Sequence, residues 1–196
     1  MMEDLSQDRV GILRAWLERN STDHPFAGPD HVARVVALSM EIGASEGADA
    51  KVIEAAALLH DIAVPICASN HYETGALLAR GVLAEAGYGP QEIEAICHAI
   101  EAHSRYGGPE PATIEAKCLF DADAIDYVGA VGLMRGIGRA STRGEYFGDV
   151  AQCLSIGRNL ADSVRGICHT GKGRALMEER IRNLDAVMAI LRGELQ

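Results

Sequence analysis

The sequence predicts an all-α protein, and three observations carry that prediction. Apolar residues recur at three- and four-residue steps along almost the whole chain, the spacing of one face of a helix. Aromatic residues make up only 5% of the 196 while Ala and Gly are abundant, a composition that favours closely packed helices over a β-sandwich. No pair of alternating segments is joined by hairpin turn chemistry, and no internal repeat or low-complexity tract interrupts the pattern.

Taken in order, Val10, Leu13 and Leu17 define a first amphipathic helix ending near Asn20. Pro25 and the Gly28-Pro29 pair mark a break, with Pro29 suited to a first helical turn. A second stripe runs through His31, Val35, Leu38 and Ile42 and stops at 43–47. Asp49 is the expected N-cap of a third helix built on Val52, Ala55, Ala56 and Leu59, which Pro65 ends soon after His60-Asp61. A fourth helix covers about 72–86, and a fifth, 91–103, carries Ile93, Ile96, Cys97 and Ile100 on one face. Residues 106–111 form the clearest loop. From Thr113 to about Met134 the pattern reads as one long helix, weakened by the Gly-rich stretch 129–148, with a flexible loop expected around 141–149. Two further helices, about 153–167 and 174–191, close the chain.

At this length, and with 48% hydrophobic residues, the chain is one domain over 1–196. Acidic residues outnumber basic ones by 28 to 18. That balance excludes nucleic acid held by bulk charge and anionic membrane surfaces, since both need a surplus of Lys and Arg. One small phosphate ligand remains compatible, because a metal ion can hold it without a basic patch. The five cysteines form no CxxC pair and read as buried fillers of a reducing compartment. The acidic N-terminus resembles no signal peptide, and no apolar run approaches the ~20 residues of a membrane span, so a soluble, cytoplasmic protein is expected.

Two glycine patterns fail as nucleotide loops. Gly136-Ile-Gly138-Arg-Ala-Ser141 and Gly166-x4-Gly171-Lys172-Gly173 both follow helices instead of strands, and the second lacks the Ser/Thr that would hold magnesium. The informative constellation is His31, His60-Asp61 and Asp123. A His-Asp pair arises readily by chance, but this one follows the apolar run 55–59 and is drawn toward the interior. Buried carboxylates are costly unless paired or bound to a cation, and Asp121, Asp123 and Asp126 pose the same problem in an apolar helix. Imidazole with carboxylate suits Mn, Fe, Co, Ni or Zn better than Mg. The competing reading is that His60 and Asp123 are hydrogen-bonded core residues.

The order His31, His60-Asp61, Asp123 resembles the HD-domain superfamily of metal-dependent phosphohydrolases. Residues 30–35 resemble that family's first-histidine helix, and Ala57-Leu-Leu-His60-Asp61 its namesake signature. Residues 93–104, 115–117, 121–123 and 129–132 resemble a small stand-alone bacterial branch, and the likeness covers about 24–192. It implies a helical bundle with a central metal site, its core about 24–140 and the C-terminal helices at about 153–192 packed on it. His31, His60, Asp61 and Asp123 become the metal ligands. Asp61, His71 and His103 become the catalytic residues, and His71, His98, His103, Arg105 and Lys117 the contacts to substrate. The implied reaction is hydrolysis of a phosphoester or phosphoanhydride bond in a nucleotide-like small molecule, with a divalent ion polarising phosphate. The Glu-Asp pair that some members carry after the signature is absent here, where 62–67 read Ile-Ala-Val-Pro-Ile-Cys. Lys117 has a simpler role available, an ion pair with Asp121 one turn away. Two alternatives stay open: a binuclear iron oxygenase with His71 and His103 on a second metal, and a non-catalytic nucleotide-binding regulatory module. Assembly as a homodimer is left open too.

Overall fold

The computed structural model describes residues 2–20, 27–146 and 148–195, and within them every regular element is a helix. The expected break at Pro25 lies outside the described residues. The first helix, α1 (Met2–Asn20), reaches the core through Leu13, which is completely buried. Pro29 opens α2 (Pro29–Glu46) behind an extended Gly28. Val35, Leu38 and Ile42 form its buried stripe. The helix does not stop at Gly43 as the sequence suggests. Gly43 packs on the next helix, where a Cβ would stand 2.3 Å from Ile53 Cδ1, and α2 ends instead at Gly47 with φ 74°.

Asp49 caps α3 (Ala50–Leu59) by accepting from the Lys51 amide at 2.9 Å. Val52, Ile53 and Ala55 to Leu59 are all buried, so α3 is the central helix, packed by α1 and α2 and by two helices downstream. The chain then winds through tight turns, with Val64 N bonded to Asp61 O (3.0 Å) and Cys67 N to Ala63 O (2.8 Å). Pro65, lacking an N–H, sits among these turns and prevents a return to helix. A short 3-10 turn, Ala68–Asn70, leads into α4 (His71–Glu85), followed by α5 (Pro90–Glu101) and α6 (Ile114–Asp126).

The single long helix expected from 113 to 134 does not form. It breaks at Val128, which is extended, and Gly129, whose φ of 84° disfavours any L side chain; α7 (Gly129–Thr142) starts there. Apolar periodicity could not reveal the break, because Ile125, Val128 and Leu133 are buried on both sides of it. Nor do the glycines weaken α7. A Cβ at Gly132 would stand 2.3 Å from the Tyr127 carbonyl, and one at Gly136 would stand 2.7 Å from Leu160 Cδ1, so both sites are close contacts. Helix persists to Thr142, shortening the loop expected at 141–149. The last helices are α8 (Val150–Val164) and α9 (Gly171–Glu194), which pack on α7 and, for α9, on α6. The two discarded glycine patterns fall inside α7 and across the α8–α9 connection into the first turn of α9.

Cys97, Cys118, Cys153 and Cys168 are buried and free, and Cys67 is half-buried. Burial pushes the Cys118 and Cys168 thiols up to about 12, which suits a filler role. Among the described residues no helix is long and apolar enough to cross a membrane.

Candidate metal centre

Helix ends converge on one point beside α3. The first turn of α2 brings His31, the end of α3 brings His60 and the turn after it Asp61, and the last turn of α6 brings Asp123. His31 and His60 are buried, and the Asp61 and Asp123 side chains are about nine-tenths buried. The atoms that face each other are His31 Nε2, His60 Nε2, Asp61 Oδ2 and Asp123 Oδ1. His31 Nε2 lies 3.2 Å from His60 Nε2, 3.4 Å from Asp61 Oδ2 and 3.3 Å from Asp123 Oδ1. His60 Nε2 lies 3.4 Å from the same Asp61 oxygen.

The other ring nitrogens are already committed. His31 Nδ1–H donates to Asp126 Oδ2 (2.8 Å), and His60 Nδ1–H donates to the Ala57 carbonyl (2.8 Å). With Nδ1–H spent, each ring has only Nε2 left to turn toward the same point, alongside two carboxylate oxygens. His31 Nε2 stands 3.2–3.4 Å from the other three atoms, and the carboxylates gathered there call for a positive charge, which a protonated His31 or a bound cation supplies. Atoms about 2.1 Å from a common ion stand about 3.0–3.4 Å apart, so His31, His60 and Asp61 fit a divalent cation, with Asp123 Oδ1 beside them 3.3 Å from His31. The charge balance agrees. Burial alone would lower His31, but Asp123, Asp126 and Asp61 outweigh it and push the imidazole up to about 10. Burial likewise opposes ionisation of Asp61 and Asp123. The surrounding histidines overcome it and hold both carboxyls below their usual range, Asp61 well below.

Two more histidines approach the far oxygen of Asp61. His71, at the start of α4, places Nε2 3.7 Å from Asp61 Oδ1, and His103, just past α5, places Nε2 at 3.6 Å. Each donates Nδ1–H to a backbone carbonyl, His71 to Ala68 (3.0 Å) and His103 to Ile100 (2.5 Å). Asp61 thus faces two histidine pairs with its two oxygens, and His31/His60/Asp61 and Asp61/His71/His103 each have a geometry able to hold an ion.

The three aspartates of α6 do different work, which the sequence did not separate. Asp126 accepts from His31 and binds Arg34 through Nε (2.7 Å) and Nη2 (3.1 Å) and Arg135 through Nη1, so it fixes the ring that presents Nε2. Asp121 points away, to the start of α9, and accepts from the His169 and Thr170 amides (both 2.8 Å) and the Thr170 hydroxyl (2.6 Å). Only Asp123 faces the centre. Asp126→Asn is accordingly expected to keep the fold and weaken metal affinity about 10–100-fold. Competition with a chelator measures this, and unchanged affinity would refute the role of Asp126.

Of the remaining expected contacts, His98 and Arg105 have other partners. His98 Nε2 accepts from the Ala112 amide (3.1 Å) and so clasps the loop before α6. Lys117 is on the first turns of α6, and Asp121, its expected ion-pair partner, is taken up by Thr170 and His169. Arg105 is stacked between Tyr106 and Tyr127, with its guanidinium carbon 4.5 and 4.4 Å from the ring centres. It donates to Ser163 Oγ (2.9 Å) on α8.

Comparison with known proteins adds four findings. The model of the HD domain family matches residues 30–128, which span all four converging residues. The Bacillus subtilis protein YpgQ is 31% identical over 193 residues, covering 91% of this chain and 89% of that one. The crystal structure of YpgQ in complex with ADP aligns with a TM-score of 0.76 at 26% identity, over 97% of this chain and 96% of that one. An HD-superfamily hydrolase from Bacillus thuringiensis shares the fold, with a TM-score of 0.72 at 21% identity over 100% of this chain and 98% of its own.

Proposed function

Because this chain belongs to the HD-domain family, we propose that it is a metal-dependent phosphohydrolase acting on a nucleotide or related small phosphorylated molecule. The observation that carries this reading is the convergence of His31 Nε2, His60 Nε2, Asp61 Oδ2 and Asp123 Oδ1, with both Nδ1 protons already spent. Those four residues would hold the ion. When bound, a divalent cation supplies Lewis-acid polarisation of a phosphate oxygen and acidifies a water toward ~7. The ADP bound by YpgQ supports a nucleotide as the phosphate-bearing ligand.

The chain's own groups supply the rest. Asp61 and Asp123 offset the positive charge and orient what enters. His71 and His103 stand over Asp61 Oδ1, within reach of a leaving oxygen on that side. Burial and the neighbouring His103 push His71 down, while Asp61 outweighs burial and pushes His103 up. His103 Nε2 is therefore the better proton holder of the two, and the less buried His71 is the one in contact with substrate.

The test is metal analysis of purified protein, followed by phosphate or pyrophosphate release from a nucleotide panel. Mn, Co or Ni should give more turnover than Mg, because Mg prefers an all-oxygen octahedral shell. Strong turnover with Mg alone would count against the ligand set. Metal and nucleotide binding with no turnover would favour a regulatory module.

A second reading has its own observation: His71, His103 and Asp61 Oδ1 form a group able to hold another ion. This is the frame a binuclear iron oxygenase would need. His71→Ala separates the two readings. Under the proposal it keeps its metal and loses turnover with the lost substrate contact, while His103→Ala keeps its metal and loses about 10²–10⁴-fold, the range for a lost general acid or base. Loss of about one ion, from a wild-type ratio near two, would favour the oxygenase.

A further inference from the structure

Between α1 and α2, beside the turn that carries Asp61, lies a cavity of about 220 Å³. One water centre needs only ~10–15 Å³, so this space holds many waters. Its walls are largely apolar: Trp16 and Leu17 from α1, Val32 from α2, Leu58 at the end of α3 and Ile62 from the turn. Asp61 lines it as well, so the cavity adjoins the metal centre. Trp16, Leu17, Val32 and Ile62 are only half-buried, and their apolar surface faces water inside a cleft. A ring that displaced this water would be favoured, since apolar surface is better covered than wet.

The lining also says what the cleft rejects. Asp61 and Glu18 contribute carboxylates, and Arg14 donates to Glu54 Oε1 at 2.9 Å. An anion gains nothing there. A phosphorylated molecule must place its phosphate at the cation side of Asp61 and its uncharged part along the apolar wall. We propose that this cleft is the subsite for the ring-bearing part of the substrate, an uncharged planar base or similar ring lying against Trp16. This assignment rests on the phosphohydrolase reading above for the position of the phosphate, and it makes Trp16, Val32 and Ile62 determinants of specificity.

Trp16 is the sole tryptophan of the chain, so its fluorescence reports on the cleft directly. Mn-loaded protein is titrated with adenosine, with ADP and with tripolyphosphate, and affinities are measured in parallel by calorimetry. Adenosine and ADP should quench Trp16 saturably while tripolyphosphate does not. Ala33 is exposed on the same wall, so Ala33→Phe fills the cleft without entering the core. It should raise the ADP dissociation constant at least about tenfold more than the tripolyphosphate one, the scale of a lost apolar pocket contact. Equal quenching by tripolyphosphate and ADP, or equal effects of Ala33→Phe on both ligands, would overturn the assignment. Saturable ADP quenching without hydrolysis of any phosphate would uphold the cleft and overturn the phosphohydrolase reading.

Discussion

Asp61→Ala is expected to purify as a folded helical protein that retains no metal and releases no phosphate. Asp61 stands outside the regular helices, in the turn after α3, and its backbone carbonyl still accepts from Val64 N (3.0 Å) whatever its side chain. His31 keeps Asp126 and Asp123 as partners, and His60 keeps the Ala57 carbonyl. The fold therefore loses only about 1–3 kcal/mol, within the usual range for one substitution. The centre loses far more. Asp61 faces all four histidines of the centre, with Oδ2 toward His31 and His60 and Oδ1 toward His71 and His103. Removing it takes away a ligand and the charge that neutralises the ion. Metal polarisation contributes several kcal/mol to a phosphoryl transition state, and each 1.36 kcal/mol is tenfold in rate, so turnover should fall by about 10³ or more. Metal analysis, circular dichroism and phosphate release on one preparation check this, with His60→Ala as a parallel. Stoichiometric metal in either variant would remove that residue from the ligand set.

Asp121→Ala should do the reverse, destabilising the fold while sparing the centre. This carboxylate is buried and accepts three short bonds from His169 and Thr170 at the start of α9. Gly173 leaves the space for it, since a Cβ there would stand 2.2 Å from Asp121 Oδ2. Hydrogen bonds to a charged group contribute about 1.5–3 kcal/mol each, and two amides and a hydroxyl would be left buried without their acceptor. The expected loss is about 3–5 kcal/mol, which lowers Tm by roughly 10 °C in a chain of this size. Below its melting transition the variant should bind metal as the wild type does. A thermal scan with metal titration tests both halves. Unchanged Tm with lost metal would mean that Asp121 serves the ion.

These two aspartates show what could and could not be read from sequence. The His31, His60-Asp61 and Asp123 set was legible because each lies where apolar periodicity forces a polar residue inward, and because the family motif links them. The division among Asp121, Asp123 and Asp126 was not, since it depends on partners far along the chain: Thr170 for Asp121, and His31 for Asp126. The helix classes followed from the periodicity, but the break at Gly129 did not. It is set by backbone conformation, with Gly129 lying close to Arg180 of α9, while the apolar pattern runs on through Val128. His98 illustrates the same limit. It accepts from the Ala112 amide, a partner across a loop that no sequence pattern announces. The cleft at Trp16 left no motif, because its walls come from helix faces that any packed interior would also use.

Anomalous scattering from crystals grown with manganese tests the central claim most directly. The account predicts a peak near full occupancy between His31 Nε2, His60 Nε2, Asp61 Oδ2 and Asp123 Oδ1, with each of the four atoms about 2.0–2.2 Å from it. No peak there, or a peak bound by other residues while His31 Nε2 keeps its 3.2–3.4 Å contacts to the other three, would contradict it.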